Sequence, residues 1–238
     1  MGWLRMDEIG DLFGTLKFSQ LVVLGVVPSI LLVMALLLTW RPLVRIRAYF
    51  SLQKLIRGLG ADRVRDIYLP GGLDGHIYVE YLVLTPHGLL LLHVKPYYGM
   101  IFAAEHIEQW TQVIGHHSYK FSNPLYQLQT TLGELRSVFP KITIEGGVLF
   151  TSGSQFPKGK PERVYLLEEI RELGKQNRGK MIPDTLQAIW GEVQASNQRA
   201  GQIRLNVYLR RGDKRRLVYG AGLLIAALVW LASQFLWV

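Results

Sequence analysis

Glu80, His93 and Lys95 are the residues of this chain whose types and spacing suit chemistry. His93 and Lys95 close the run "GLLLLHVK", Gly88 to Lys95, which otherwise reads as a strand buried along its length. Residues two apart on a strand share a face, so the imidazole and the ammonium project together. The run before it, "IYVEYLVL" from Ile77 to Leu84, is β-branched and aromatic, and Glu80 interrupts it. "TPHG" supplies a turn between them, so the two runs are expected to pair antiparallel. An acid on one strand and a lysine at the end of its partner can meet in one cleft. A metal-dependent phosphodiesterase uses such a pair: the carboxylate binds Mg²⁺ and the lysine steadies the attacking water or the phosphate. A cross-strand Glu80–Lys95 ion pair on a solvated face fits the same spacing.

The elements that would position these residues read as α/β. Apolar residues recur at three-to-four spacing from Leu43 to Leu59, an amphipathic helix ended by Gly58 and Gly60. "VRDIYLPGGLDG" follows as a short strand and a Gly-rich turn, and "MIFAAE" is expected to continue the sheet after the hairpin. "NPLYQLQTTLGELRSVF" is a helix with Asn123 as N-cap and Pro124 at its first position. "KITIEGGVLFTS" gives a strand, and "PERVYLLEEIRELGK" a short strand and a helix closed by Gly174. Asp184 caps a helix through Ser196, and "QIRLNVYL" is expected to form a last strand.

Two further segments carry no charge and match the roughly 20 residues a helix needs to cross a bilayer. They run from Leu21 to Trp40 and from Leu217 to Val238, and they explain a hydrophobic content of 49%. The first is longer than a signal-peptide core and is followed by "RPLVRIR", a stop-transfer flank. Arg41, Arg45 and Arg47 follow the first span; Arg210, Arg211, Lys214, Arg215 and Arg216 flank the second. The opposite flanks hold only Arg5 and Lys17. The expected topology is a multi-pass plasma-membrane protein (a bacterial inner membrane, if bacterial) with residues 41–216 cytoplasmic and both termini outside. Residues 1–20 have the spacing of an amphipathic helix on the outer surface, or are a disordered terminus.

The segment between the spans holds 25 basic and 15 acidic residues, a formal charge of +10. A positive cytoplasmic domain suits a polyanion, nucleic acid or the anionic leaflet, although much of the charge lies where topology alone would put it. Lys95, Lys120, Arg57, Arg63 and Arg65 are the candidate nucleic-acid contacts. With no cysteine, disulfides, thiolate zinc sites and cysteine nucleophiles are excluded. His116 and His117 are adjacent and point apart. Gly71-Gly72 and Gly146-Gly147 lack the phosphate-loop fingerprints, and no Gly-x-Ser-x-Gly occurs.

The run "YVEYLVLTPHGLLLLHVKPYYGMI", with Trp110 and "NPLYQ" further on, resembles the nuclease-related domain family, NERD, over roughly residues 43 to 151. That family is similar to restriction endonucleases of the PD-(D/E)xK type. The resemblance implies a restriction-endonuclease-like mixed central sheet flanked by helices, here bracketed by the two apolar helices. Glu80 falls at the family's first acid, Gly88 at its turn glycine, Lys95 at its lysine and Gly99 at its later glycine. Asn123, Pro124, Leu125 and Gln127 carry the helix-start motif. His93 stands where the second acid is expected, and the helix from Leu43 to Leu59 has none of the acids the family places there. The candidate catalytic set is therefore Glu80, His93, Lys95 and Gln127, with Glu80, His93 and the Val94 carbonyl as metal ligands. One carboxylate and an imidazole serve Mg²⁺ poorly and would favour Mn²⁺ or Zn²⁺.

Three functions follow from these residues. One is a membrane-tethered module that binds nucleic acid through a degenerate nuclease site. Another is a variant phosphodiesterase acting on DNA with Mg²⁺ or Mn²⁺. The third is a scaffold for protein partners. Gly25 in the first span and Gly220, Ala221, Gly222, Ala226 and Ala227 in the second allow close helix approach, within one chain or between chains.

Overall fold

The computed structural model describes residues 18–72, 75–151, 153–195, 198–199 and 211–236. The chain forms two compact units, Met1–Tyr49 with Arg204–Val238, and Phe50–Ile203. Helix α1 (Phe18–Arg57) runs without interruption through Pro28 and Pro42. The separate span and amphipathic helix expected from the sequence are thus one element. Pro42 removes a single amide and does not by itself end a helix whose neighbours keep their own bonds.

Strands β1 (Asp62–Pro70), β2 (His76–Thr85) and β3 (Gly88–Lys95) follow as an antiparallel meander. Next come β4 (Gly99–Phe102), β5 (Gln109–Ile114) and β6 (His117–Ser122), then helix α2 (Pro124–Val138) and strand β7 (Ile144–Phe150). Short strands β8 (Ser154–Gln155) and β9 (Val164–Leu166) precede helices α3 (Leu167–Asn177) and α4 (Asp184–Ala195). Strand β10 (Gln198–Arg199) and helix α5 (Arg211–Leu236) complete the described chain. The stretch 202–209, expected as a strand, and the amphipathic segment 1–17 lie outside the described residues.

The strands form two mixed sheets. One has the order β10-β1-β2-β3-β7-β9, the other β6-β5-β4-β8. "MIFAAE" therefore does not extend the central sheet. Its first residues form β4, antiparallel to β5 and parallel to β8. The hairpin turn needs Gly88, whose φ of +144° suits glycine and whose Cβ would lie 2.1 Å from the Thr143 carbonyl oxygen. Gly174 does not close α3, which continues to Asn177. A Cβ there would come 2.8 Å from the Gly58 carbonyl oxygen, so its use is close approach to the chain that leaves α1.

The main core lies on one face of the larger sheet. Leu82, Leu84, Leu89, Leu91, Val148 and Phe150 pack there with Leu125, Leu128, Leu132 and Leu135 of α2 and Trp190 and Val193 of α4. Asn123 caps α2 as expected, its side-chain oxygen accepting from the Leu125 amide at 2.9 Å. Tyr81, Val83, Leu90 and Leu92 are buried outside this core cluster, on the opposite face. The C-terminal turns of α1 belong to that side: Gln53 donates to the Tyr81 hydroxyl at 2.5 Å.

In the other unit, Gly220 of α5 lies against Thr39 and the Ala35 carbonyl of α1, so near that a Cβ would fall 2.3 Å from Thr39 Cγ2. Ala35 and Ala227 are buried, and Arg45 forms an ion pair with the buried Asp213. The two apolar helices thus pair within one chain. Both are long and apolar enough to cross a membrane, and only 17% and 11% of their apolar windows are buried.

Candidate functional site

The alternation of β2 breaks at Glu80. Ile77 and Val79 before it and Leu82 and Leu84 after it belong to the same core, although regular alternation would send them to opposite faces. Strand β1 makes the matching switch, with Val64 and then Ile67 and Leu69 against that core. Pairing between the strands runs Arg65↔Tyr81 and then Ile67↔Val79, leaving out Asp66 and Glu80. Asp66 has φ +48°, rare for a residue with a side chain. The two strands thus distort together at two acids, and the sequence pattern identified only one of them.

At this break the Glu80 carboxylate replaces a backbone acceptor. The β2–β3 pairing ends at Tyr81↔Leu92, and beyond it Glu80 Oε2 accepts from the Val94 amide at 2.9 Å. Burial raises the Glu80 carboxyl to about 7 from 4.5, against the opposing pull of the Val94 amide and the Lys95 charge; Asp66 adds to the rise. No direct hydrogen bond or ion pair joins Glu80 to Lys95, so the solvated ion pair is not what forms.

His93 is 3% exposed, and its Nδ1 is buried without a hydrogen-bond partner among the described residues. Its neighbour across the parallel pair with β7 is Val148, a core residue. Burial, helped by the Lys95 charge, lowers the imidazole to about 4. It is a neutral ring at physiological pH.

Lys95 is half-buried at the end of β3, opposite Phe150. The smaller sheet fixes the turn behind it. Ser154 donates to the Tyr97 carbonyl and Gln112 to the Tyr98 carbonyl, each at 2.7 Å. Trp110 stacks on Phe150 with ring centroids 6.2 Å apart and donates from Nε1 to the Ala104 carbonyl. Asn123 Nδ2 bonds the carbonyls of Glu105 and Ile107. The tryptophan and the helix-start asparagine therefore brace the loop from Ala103 to Glu108. Gln127 is exposed on α2, and among the described residues its side chain bonds none of Glu80, His93 or Lys95.

These donors do not suit a hard divalent cation. Among the described residues no group of three or more His, Asp or Glu side chains is gathered to hold a metal ion. Glu80 already gives one oxygen to an amide and holds its proton to about 7. His93 offers nitrogen where Mg²⁺ prefers oxygen. For Val94 it is the amide that faces Glu80.

The five basic residues expected to meet nucleic acid are divided. Arg57, Arg63 and Arg65 line one cavity of about 440 Å³. Lys95 lies in register with core residue Phe150 on β7, and Lys120 is on the exposed β6 of the smaller sheet. Arg63 and Arg65 pair with Val83 and Tyr81, so they project from the opposite face to Lys95. The residue that the sequence reading missed is Asp66. Its signal was an aspartate inside a strand, where such residues are disfavoured; it accepts from the Tyr78 hydroxyl at 2.8 Å.

The domain is a mixed α/β fold with an acid at a strand break and a lysine at the end of the next strand. Residues 45–151 match the family model NERD, the nuclease-related domain. That stretch includes Glu80, His93, Lys95, Trp110 and Asn123 to Gln127, on which the resemblance rests. No curated protein and no solved structure matches the chain.

Proposed function

We propose that this is a membrane-anchored protein whose restriction-endonuclease-like domain, residues 41–216, faces the cytoplasm and binds nucleic acid through a degenerate nuclease site. The observation that carries the reading is His93: at the position where the resemblance implies a second acid stands a buried neutral imidazole whose Nδ1 has no partner among the described residues. The remaining carboxylate, Glu80, is engaged by a backbone amide. Anchoring is supported by two apolar helices whose outer surfaces expose Leu37, Val218 and Leu228, side chains that water disfavours and lipid accepts. The arginines at 41, 45 and 47 and the basic run at 210–216 favour the inward orientation.

The test uses the full chain in neutral detergent micelles with labelled duplex DNA and with supercoiled plasmid, in Mg²⁺ or Mn²⁺. The expected result is retention of duplex that weakens steeply with salt, with the plasmid left intact. Lys95→Ala should weaken retention. Nicking that requires both metal and Lys95 would replace this reading with an active variant phosphodiesterase. Failure to retain duplex at low ionic strength would leave a platform for protein partners.

A further inference from the structure

We infer that Arg57, Arg63 and Arg65 bind a phosphate monoester in its dianionic form. Arg57 closes α1, and the chain then turns hard against β2, with the Ala61 amide donating to the Leu84 carbonyl at 2.9 Å. This turn sets the helix end beside the first residues of β1. The cavity of about 440 Å³ between them is lined by Arg57, Ala61, Asp62, Arg63 and Arg65.

Its polar walls are held from behind. Arg63 Nη1 donates to both the carbonyl and the side-chain oxygen of Gln53, at 2.9 and 2.8 Å. Gln53 in turn bonds Tyr81. Asp62 Oδ2 accepts from Trp190 Nε1 at 2.9 Å and Gln194 Nε2 at 2.8 Å, and Oδ1 takes the Arg63 amide at 2.7 Å. The single carboxylate is thereby fixed by three donors and does not swing to pair Arg57. The lining side chains, three guanidiniums and one carboxylate, carry a formal charge of +2, the sign a phosphomonoester dianion needs.

Guanidinium forks recognise phosphate oxygens two at a time. The end of α1 presents a helix C-terminus, whose dipole is of the wrong sign for an anion, so recognition rests on the side chains. The volume lies within the roughly 300–1,000 Å³ of small-molecule sites, more than a phosphate alone fills, which leaves room for the group the phosphate is attached to. A soluble phosphomonoester and a lipid headgroup carrying a terminal phosphate share this chemistry. The inference stands on the cavity, on the sheet face opposite Lys95, and does not depend on nucleic-acid binding at β2 and β3.

Titration calorimetry on the full chain tests it. One arm uses phenyl phosphate, with phenyl sulfate as the singly charged control, against protein in neutral detergent. The other uses phosphatidylcholine nanodiscs with and without phosphatidic acid. Saturable binding of phenyl phosphate over phenyl sulfate, weakened about tenfold or more by Arg57→Gln and by Arg65→Gln, supports the site. The exposed Lys141→Gln removes the same charge elsewhere and should change affinity less than about twofold. Arginine-dependent binding confined to phosphatidic acid nanodiscs supports the site with lipid as the source. No binding in either arm, or binding indifferent to both arginine substitutions, overturns it. Arg63 is not substituted, because it also holds α1.

Discussion

Two polar regions flank the start of the larger sheet, and they are built in opposite ways. Around Asp62 the aspartate and Arg63 have fixed partners: Trp190, Gln194 and the Arg63 amide on the carboxylate, and Gln53 on the Arg63 guanidinium. Around Glu80 burial outruns partnering. One carboxylate has a single amide and holds its proton to about 7, and the imidazole of His93, next to Val94 on β3, leaves a nitrogen with no partner among the described residues. A region of the first kind is rigid and keeps its charge in water's reach. One of the second kind stores desolvation that a ligand or a metal could relieve, and the donors now present at Glu80 and His93 are the wrong ones for a hard cation.

The largest test of this contrast is to give the second region its missing acid. His93→Asp would bury a second carboxylate on β3, next to the Val94 amide that Glu80 holds, and should cost about 3–5 kcal/mol in chelator. Part of that loss should return in Mn²⁺, since binding to the folded state alone stabilises it. Thermal unfolding with and without Mn²⁺ measures both. A variant indifferent to Mn²⁺ would show that the position no longer belongs to a metal cradle.

The pH dependence of stability comes next. Glu80 holds its proton more tightly when folded, about 7 against 4.5, so its contribution is full below about pH 4.5 and is lost as pH rises to about 7. His93 holds its proton less tightly when folded, about 4 against 6.5, so its contribution is full above about 6.5 and is lost as pH falls to about 4. Each amounts to about 3 kcal/mol, and between pH 4.5 and 6.5 the two slopes oppose. The native chain should therefore show little net dependence from this pair in that window. Glu80→Gln, which keeps an acceptor for Val94, should leave stability rising with pH by about 3 kcal/mol. Denaturant midpoints at several pH values decide it, and an unchanged profile would show that the two groups are not buried as described.

Asp62→Ala should cost about 1–3 kcal/mol, because it strands the indole N–H of Trp190, a residue only 5% exposed. Urea unfolding would report it, and a loss of a few tenths would show that the anchor is dispensable. The smallest stability effect belongs to Arg57→Gln, within about 0.5 kcal/mol, since Arg57 is exposed. Its consequence should fall on phosphate binding, and a large destabilisation would mean that the residue is structural after all.

Local patterns in the chain carried much of this description. A β-branched and aromatic run identified β2, a continuous apolar run β3, "TPHG" their turn, and Asn123-Pro124 the start of α2, because each depends on neighbours within a few residues. What secures Tyr97 and Tyr98 after Lys95 comes from Ser154 and Gln112, far along the chain. Two apolar helices followed from composition, but their pairing through Gly220 and Thr39 depends on packing between distant segments. The motif that holds Glu80, His93 and Lys95 predicted the family whose model matches residues 45–151.

Other features arise only from contacts between segments far apart in the chain. Alternation assumes a regular strand, so it could not foresee the break at which Glu80 and Asp66 displace the β1–β2 pairing. Nor could spacing divide the basic residues, since the face of Arg63 and Arg65 is fixed by that same break and by α1 lying over Tyr81. The sequence determined which chemical groups the protein carries and the order of its elements, because those depend on composition and local period. Tertiary structure decided which groups lose water and which keep partners, because burial and hydrogen bonding are set by segments that meet only after folding.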